Sequence, residues 1–244
     1  MPVFFIEPGV IKSGMATVRG PLAHHLSKSL RVEPGEELWL AEACERRYRA
    51  KILSSDLHGV TAQILFEVLP PSKPSLRITL GLALIKHDHL AWALQKATEL
   101  GVAEIVPLIT RRTVVRPIAS RQTQRLRTIV LEAAQQSMRW DVPFVTDPQP
   151  FHMWCRKANP EGLRFLLWES PQGTLLRDKL KGDTVRHVVL AAGPEGGFET
   201  EEITEAQGEG FEVVSLGPRI LRTETSVLTA LAVLQYEWGD LGKS

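Results

Sequence analysis

The sequence predicts an α/β protein with a mostly parallel sheet, covered by helices on both faces and preceded by a small β-rich module. The two parts meet at Pro70-Pro71-Ser72-Lys73-Pro74, since closely spaced prolines favour extended backbone and stop both helices and sheets. Before this run short β-like segments dominate, and after it strands and helices alternate. We therefore expect two domains, at residues 1–72 and 73–244.

In the first domain, turn residues such as Pro34-Gly35 separate short runs of β-forming residues. The predicted strands are Val3–Ile6, Glu37–Leu40, Tyr48–Leu53 and Val60–Val68, with one short helix at about 22–30. A β-rich module of about 70 residues is marginally stable alone but common as an accessory domain. It is expected to be a small barrel or a sandwich.

In the second domain, buried-strand patterns alternate with helical ones, which is typical of a parallel sheet. The predicted strands are Leu76–Leu84, Ile105–Ile109, Val142–Val145, Leu163–Leu167, Val185–Ala191 and Glu212–Leu216. The predicted helices are His89–Leu100, Arg121–Arg139, Glu201–Glu209 and Thr223–Trp238. The first of these is expected to have Asp88 as its N-cap and Gly101 just beyond its end.

The composition is that of a globular protein, with 43% hydrophobic and 23% charged residues. No apolar run approaches the ~18 residues of a membrane span, and the N-terminus lacks a secretory pattern, so a cytoplasmic location is expected. Cys44 and Cys155 are too few for a disulfide framework or a cysteine zinc site. A polar helix start explains His87-Asp88-His89 better than a metal site, and no metal is expected.

Charge is distributed unevenly along the chain, although the formal net charge is only +1. Residues 73–128 carry 10 basic and 3 acidic side chains, whereas residues 161–244 carry 8 basic and 14 acidic ones. Such a separation is typical of proteins with one face for a polyanion, which favours a nucleic-acid partner. Two oppositely charged segments that pack on each other would give the same counts, and this alternative stays open.

The strongest local signal is a Gly-rich turn directly after a buried strand. The turn is Gly193-Pro194-Glu195-Gly196-Gly197-Phe198, and a helix follows it. Open α/β sheets bind ligands outside the carboxyl ends of their strands, where glycines permit a close backbone approach. The dinucleotide fingerprint and the Walker A loop are both absent, so the ligand class stays open, as does a purely structural turn.

A second strand ends in a comparable loop, which runs from Leu216-Gly217-Pro218 to Arg222 and leads into a helix start. Thr223 or Thr225 can cap this helix, and Glu224 suits the positive end of its dipole. The same dipole disfavours an arginine, so Arg222 is predicted to have a functional role.

Arginines are concentrated between Glu104 and Glu132, where the sequence contains no acidic residue. They are Arg111, Arg112, Arg116, Arg121, Arg125 and Arg127. Because guanidinium groups match phosphates with paired hydrogen bonds, this stretch is predicted to contact a phosphate backbone. A smaller basic stripe contains His25, Lys28 and Arg31, and a solvated amphipathic helix explains it nearly as well.

Several of these motifs resemble those of one family, the 16S ribosomal RNA uridine-N3 methyltransferases of the SPOUT superfamily. The resemblance rests on Gly-Pro-Glu-Gly-Gly-Phe at 193–198 and Leu-Gly-Pro-Arg-Ile-Leu-Arg-Thr-Glu-Thr at 216–225. Shorter matches extend it over nearly the whole chain, at residues 25, 26, 28, 30, 31, 35, 95–102, 107, 112, 132–137 and 139. The chain departs from the family at His87 and His89, where small or basic residues are more common, and at Val3-Phe4-Phe5, which lacks a basic residue.

The resemblance implies a PUA-like β-barrel followed by an α/β domain with a C-terminal trefoil knot. S-adenosylmethionine would lie in the knot, held by loops 193–197 and 216–222, and two subunits would pair through the knot. The implied cofactor-binding residues are Leu190, Gly193, Pro194, Gly196, Gly197, Leu216, Gly217, Ile220, Leu221 and Thr225. The RNA-binding residues are expected to be His25, Lys28, Arg31, Lys86, Lys96, Arg111, Arg112, Arg116 and Arg139.

The implied reaction is methylation of N3 of a specific uridine in 16S ribosomal RNA, either free or in the small subunit. Glu195 or Glu224 would accept the N3 proton, and Arg222 would stabilise the charge that develops on the uracil carbonyls. Either carboxylate would serve equally well to hold a loop through backbone N–H groups. The alternatives are a SPOUT-like methyltransferase for another RNA, such as transfer RNA, and a non-catalytic RNA-binding protein.

Overall fold

The computed structural model describes residues 2–42, 45–56, 59–71, 76–113, 120–169, 174–180 and 185–242, apart from the side chains of His87, Ser120 and Arg121. Arg116, Cys44 and the end of the proline-rich run, from Ser72 to Pro74, lie outside these residues. The chain forms two compact units. One contains Met1–Lys73 and Ala134–Val142, and the other contains Pro74–Ala133 and Pro143–Ser244.

The first unit contains a six-stranded sheet in the order β1-β4-β5-β6-β3-β2. Its strands are β1 (Val3–Phe5), β2 (Ile11–Lys12), β3 (Met15–Val18), β4 (Glu37–Glu42), β5 (Arg46–Ser55) and β6 (Val60–Val68). Strands β1 and β4 are parallel, and the other neighbours are antiparallel. Alternate side chains of β4 and β5, including Leu38, Leu40 and Ile52, form the core.

One helical segment covers this core. Helix α1 (Gly20–His24) has Pro21 in its first turn and continues into a π-helical turn at His25–Ser29. Ala23 and Leu26 are buried, whereas His25 and Lys28 are exposed. Strands β2 and β3 were not predicted, because two to four residues are too few to show a period of two.

The segment Ala134–Val142 is held in the first unit by a buried arginine. The guanidinium of Arg47 lies 3.9 Å from the ring centroid of Trp140, and its Nη2 donates to the carbonyl of Met138. Arg47 is only 7% exposed, and burial lowers the pKa of its guanidinium. Met138 has a positive φ of 57°, which ends the preceding helix earlier than the predicted Arg139.

The second unit contains a sheet in the order β10-β8-β7-β13-β11-β14-β12, with β9 also paired to β8. Its strands are β7 (Arg77–Ala83), β8 (Glu104–Ile109), β9 (Phe144–Val145), β10 (Gln149–Pro150), β11 (Leu163–Leu167), β12 (Thr174–Leu175), β13 (His187–Ala192) and β14 (Glu212–Ser215). All of these pairings are parallel. The predicted α/β class with a parallel sheet is thus confirmed.

Helices alternate with the strands of this sheet. They are α2 (His87–Glu99), α3 (Ser120–Gln136), α4 (Phe151–Lys157), α5 (Leu176–Lys179), α6 (Thr200–Gly208) and α7 (Thr223–Glu237). Trp154 of α4 packs over Gly81 of β7, where an added Cβ would lie 2.5 Å from the indole. Helices α2 and α7 pack against each other. Both faces of β13 are buried, as shown by Val189 and Leu190.

Several element boundaries differ from the prediction. Lys86, and not Asp88, is the N-cap of α2, because the helix begins two residues before His89. Gly101 follows the end of that helix with a φ of +81°, as predicted. Helices α4 and α5 and strands β10 and β12 were missed, because each is too short for a clear period.

Candidate active site

Three loops meet at one edge of the parallel sheet. Strands β13, β11 and β14 are consecutive neighbours and run in the same direction, so their carboxyl ends lie side by side. The loop that starts at Gly193 follows β13, the loop that starts at Trp168 follows β11, and the loop that starts at Leu216 follows β14. The two loops that the sequence predicts to bind a ligand, after β13 and after β14, therefore lie at the same edge of the sheet.

These loops enclose a cavity of about 240 Å³. Its lining residues are 167–169, 193–195, 197, 198, 214–216, 219–223 and 226. The walls combine backbone groups of the Gly-rich turn, apolar side chains such as Ile220 and Leu221, and the cation of Arg222. Such a mixture of apolar surface and a few polar groups is typical of small-molecule sites.

Six of the ten predicted cofactor residues line this cavity: Gly193, Pro194, Gly197, Leu216, Ile220 and Leu221. The other four do not line it. Leu190 is fully buried within β13, and Gly196 lies against the Arg112 side chain. Gly217 is in the loop after β14 with a φ of +123°. Thr225 is exposed on α7.

The Gly-rich turn depends on two of its glycines. The N–H of Gly197 donates to the carbonyl of Pro194 at 2.8 Å, and Gly197 has a φ of +72°, which is costly for other residues. At Gly193, a Cβ would lie 3.0 Å from the Phe198 ring, closer than real Cβ contacts normally allow. Glycine at both positions therefore lets the turn bring its backbone to the cavity without strain.

A side-chain hydrogen bond ties the start of α7 to the Gly-rich turn. The hydroxyl of Thr223 donates to the carbonyl of Gly193 at 3.0 Å, and Thr223 is 7% exposed. The prediction that a threonine caps this helix is wrong, because Arg222 occupies the N-cap position and no side chain caps it. The Thr223 hydroxyl instead joins two walls of the cavity.

The three predicted catalytic residues have different surroundings. Arg222 and Glu195 line the cavity, and both are exposed. Glu224 does not line it and is only 8% exposed. Its Oε1 lies 2.9 Å from Nδ1 of His89 on α2. The sequence contained no signal for this contact, since the two residues are 135 positions apart.

Arg111 and Arg112 contact the acidic start of α6. Nη1 of Arg112 donates to the carbonyl of Gly196 at 2.7 Å, and its Nε donates to Glu199 at 3.3 Å. The backbone N–H of Arg111 donates to the buried carboxylate of Glu202 at 2.9 Å. Glu202 also accepts from the N–H of Glu199, which completes a capping box. The three-residue spacing of Glu199 and Glu202, which is typical of a capping box, is the sequence signal that could have predicted these contacts.

The remaining predicted RNA-binding residues lie on helices and turns. His25 and Lys28 are exposed in the π-helical turn, Arg31 follows with a φ of +53°, and Lys86 is exposed at the start of α2. Two others pair with acids. Lys96 donates to Glu99 at 2.8 Å, and Arg139 donates to both oxygens of Asp141 at 2.8 and 2.9 Å.

A search of the described ranges finds no group of three or more His, Cys, Asp or Glu side chains that could hold a metal ion. Within the same residues, no helix is both long and apolar enough to cross a membrane.

Comparison with known proteins gives concordant results. Residues 71–235 match the model of the RNA methyltransferase domain family. The ribosomal RNA small subunit methyltransferase E of Synechocystis sp. is 35% identical over 229 residues, which are 93% of this chain and 75% of that protein.

Two solved structures agree over nearly the full length. The small subunit methyltransferase E of Neisseria gonorrhoeae, bound to S-adenosyl methionine, has a TM-score of 0.88 and 32% identity, covering 98% of this chain and 99% of that one. A Legionella pneumophila protein in complex with the same cofactor has a TM-score of 0.88 and 32% identity, covering 98% of each chain. On these matches, the chain belongs to the ribosomal RNA small subunit methyltransferase E family.

Proposed function

We propose that this protein transfers the methyl group of S-adenosylmethionine to N3 of a uridine in 16S ribosomal RNA. The observation that carries the proposal is the cavity at the carboxyl edge of the sheet, which is built from the two sequence motifs and has Arg222 in its wall. Family membership supports the reaction class, and this geometry supports the cavity as the place of the reaction.

The residues of the cavity fit S-adenosylmethionine. Leu216, Ile220 and Leu221 offer apolar surface to a purine ring, and the Gly-rich turn offers backbone groups to polar edges. Because Gly193 lacks a Cβ, which would lie against Phe198, its backbone stays accessible to the ligand. When bound, the sulfonium supplies an electrophilic methyl group.

The protein's own task is to position the uridine and manage its charge. Aligning two bound reactants can supply roughly 7–11 kcal/mol of the barrier. The N3 atom lies on the pairing edge of the base, so the uridine must be unpaired or flipped out to react. As the N3 proton leaves, negative charge develops on the uracil carbonyls, and the guanidinium of Arg222 would stabilise it.

The RNA would be bound by basic residues. Candidates are His25, Lys28, Arg31, Lys86, Lys96, Arg111, Arg112, Arg116 and Arg139. Arg111, Arg112, Lys96 and Arg139 would exchange or share their present acidic or carbonyl partners. The exposed Lys28, Arg31 and Lys86 are the simplest phosphate contacts.

We also propose that this chain has the PUA-like domain, the knot and the homodimer that the family resemblance implies. A PUA-like first domain is supported by the separate sheet and core of the first unit. The resemblance implies a C-terminal trefoil knot, and the bond from Thr223 to Gly193 brings the start of α7 next to the loop after β13. A homodimer paired through the knot would give a doubled molecular mass in light scattering.

The test uses radiolabelled S-adenosylmethionine and small ribosomal subunits that lack the modification. We expect label in 16S RNA and N3-methyluridine after digestion, and Arg222→Ala should lose turnover while retaining cofactor binding by calorimetry. If transfer RNA in a parallel reaction is labelled and the subunits are not, the other SPOUT-like activity is favoured. RNA binding with no cofactor binding and no label would instead indicate a non-catalytic RNA-binding protein.

A further inference from the structure

A histidine and a buried carboxylate form a pair beside the cavity. Nδ1 of His89 lies 2.9 Å from Oε1 of Glu224. The Glu224 side chain is 10% exposed and that of His89 is 41% exposed. The second oxygen of Glu224, Oε2, is buried and has no hydrogen-bond partner among the described residues. Glu224 therefore depends on His89 for its one observed side-chain hydrogen bond.

The pairing determines which nitrogen of the imidazole carries a proton. An ionised carboxylate only accepts hydrogen bonds, so Nδ1 is the donor in this contact when Glu224 is ionised. In the neutral ring, Nε2 then has a lone pair and can accept a proton. A histidine whose Nδ1–H is held by a buried carboxylate is the arrangement that enzymes use to orient a general base.

The fold brings this pair to the reacting edge of the sheet. Helix α2 follows β7, and β7 is the parallel neighbour of β13, whose Gly-rich loop lines the cavity. Glu224 lies in the first turn of α7, directly after Arg222 and Thr223, which both line the cavity. Neither His89 nor Glu224 lines it, so cofactor and pair would not compete for the same space.

We infer that in this chain, which departs from the family pattern at position 89, His89 accepts the N3 proton of the target uridine and Glu224 is its positioning residue, an inference that rests on the proposed function. The proton of N3 passes to Nε2 of His89. The electron pair of the broken N3–H bond forms the bond to the methyl carbon, while the carbon–sulfur bond leaves its pair on sulfur. Glu224 stabilises the imidazolium that results.

The alternative acceptors are less suited to this role. Glu224 is buried, and its Oε1 is engaged with His89. Glu195 is exposed to solvent in the cavity wall. The assignment thus gives the proton to the half-exposed imidazole and an orienting role to the buried carboxylate.

The decisive variant is His89→Asn, because its side-chain amide can still donate to Glu224 but has no basic nitrogen. We expect methyl transfer to unmodified small subunits to fall by about 10²-fold or more. Binding of S-adenosylmethionine, measured by calorimetry, should stay within twofold of wild type. His152→Ala, which removes an exposed histidine of α4, serves as the control and should be unaffected.

Two further measurements distinguish a His89 that accepts the proton from a His89 that has only a structural role. Added imidazole should restore turnover to His89→Ala, which retains a space for it. In the free protein, ¹⁵N chemical shifts should report the Nδ1–H tautomer of His89, and Glu224→Gln should change them. The second measurement requires no catalysis.

The outcomes are distinguishable. If the wild type does not label small-subunit RNA, the proposed function itself fails. If the wild type is active, the role of His89 is overturned by full turnover in His89→Asn, by absence of imidazole rescue in folded His89→Ala, or by an Nε2–H tautomer.

Discussion

The hydroxyl of Thr223 donates a 3.0 Å hydrogen bond to the carbonyl of Gly193, and so joins the first turn of α7 to the loop after β13. The two residues are 30 positions apart in the chain, yet both line the cavity. Because Thr223 is buried, water cannot easily replace this bond when it is lost.

Removing that hydroxyl should loosen the cavity. We expect Thr223→Val to weaken S-adenosylmethionine binding about fivefold, since a neutral hydrogen bond contributes roughly 1 kcal/mol. Calorimetric titration measures the effect. Thr229→Val is the matched control, because its hydroxyl donates to the Thr225 carbonyl on the exposed side of the same helix. Equal affinities in the two variants would contradict the joining role of Thr223.

Substitutions at the two adjacent glycines of the Gly-rich turn should affect cofactor binding differently. Gly197 has a φ of +72°, so Gly197→Ala should strain the turn by about 1–2 kcal/mol and weaken cofactor binding about five- to thirtyfold. At Gly196, a Cβ would meet the Arg112 side chain at an ordinary 3.5 Å. Gly196→Ala should therefore bind normally, and a comparable loss in both variants would show that backbone strain is not the cause.

The position of these loops could be predicted from the sequence, whereas their mutual contacts could not. A buried strand that ends in glycine and proline predicts a ligand loop at the carboxyl edge of a parallel sheet. The bond between Thr223 and Gly193 and the pair of His89 and Glu224 depend on how distant elements pack. No local period or spacing encodes such contacts, which form only when the sheet order brings the elements together.

Short elements were missed for a related reason. Strand β3 and helix α4 are held by pairing with β6 and by packing of Phe151 and Trp154 into the core. Four to seven residues cannot express a clear period, so tertiary contacts decide their conformation. Long elements such as β6 and α7 were predicted to within one residue, because their patterns are long enough to read.

Substitution of Arg112 distinguishes two roles of its side chain, which are support of the Gly-rich turn and contact with RNA. Its bonds to Gly196 and Glu199 predict that Arg112→Met weakens S-adenosylmethionine binding in the absence of RNA. The loss should be only about two- to threefold, because this ion pair is largely exposed and exposed pairs contribute little. Arg111→Met is the control, since Arg111 holds Glu202 through its backbone N–H, which the substitution retains.

The salt dependence of RNA binding separates the two roles. A phosphate contact by Arg112 would lower the slope of binding against salt by about one in Arg112→Met. Unchanged cofactor affinity together with a reduced slope would mean that Arg112 serves the RNA alone.

Cys155 is expected to be unreactive in the folded protein. It is 1% exposed within the core of the second unit. Burial, with smaller contributions from Glu209, Glu205 and Glu202, raises the pKa of its thiol to about 12. At pH 8 only about 10⁻⁴ of the thiol would be ionised, and the thiolate is the form that reacts.

The measurement is alkylation of a Cys44→Ser variant, in which Cys155 is the remaining cysteine. We expect labelling at pH 8 to be slow in native protein and fast in denaturant. The pKa of Cys155 is raised relative to about 8.5 in the unfolded chain. Its contribution to the free energy of unfolding is thus complete below pH of about 8.5 and decreases as the pH rises toward 12. Cys155→Ala should lessen alkaline destabilisation in this range, and native labelling as rapid as that of a free thiol would refute the burial argument.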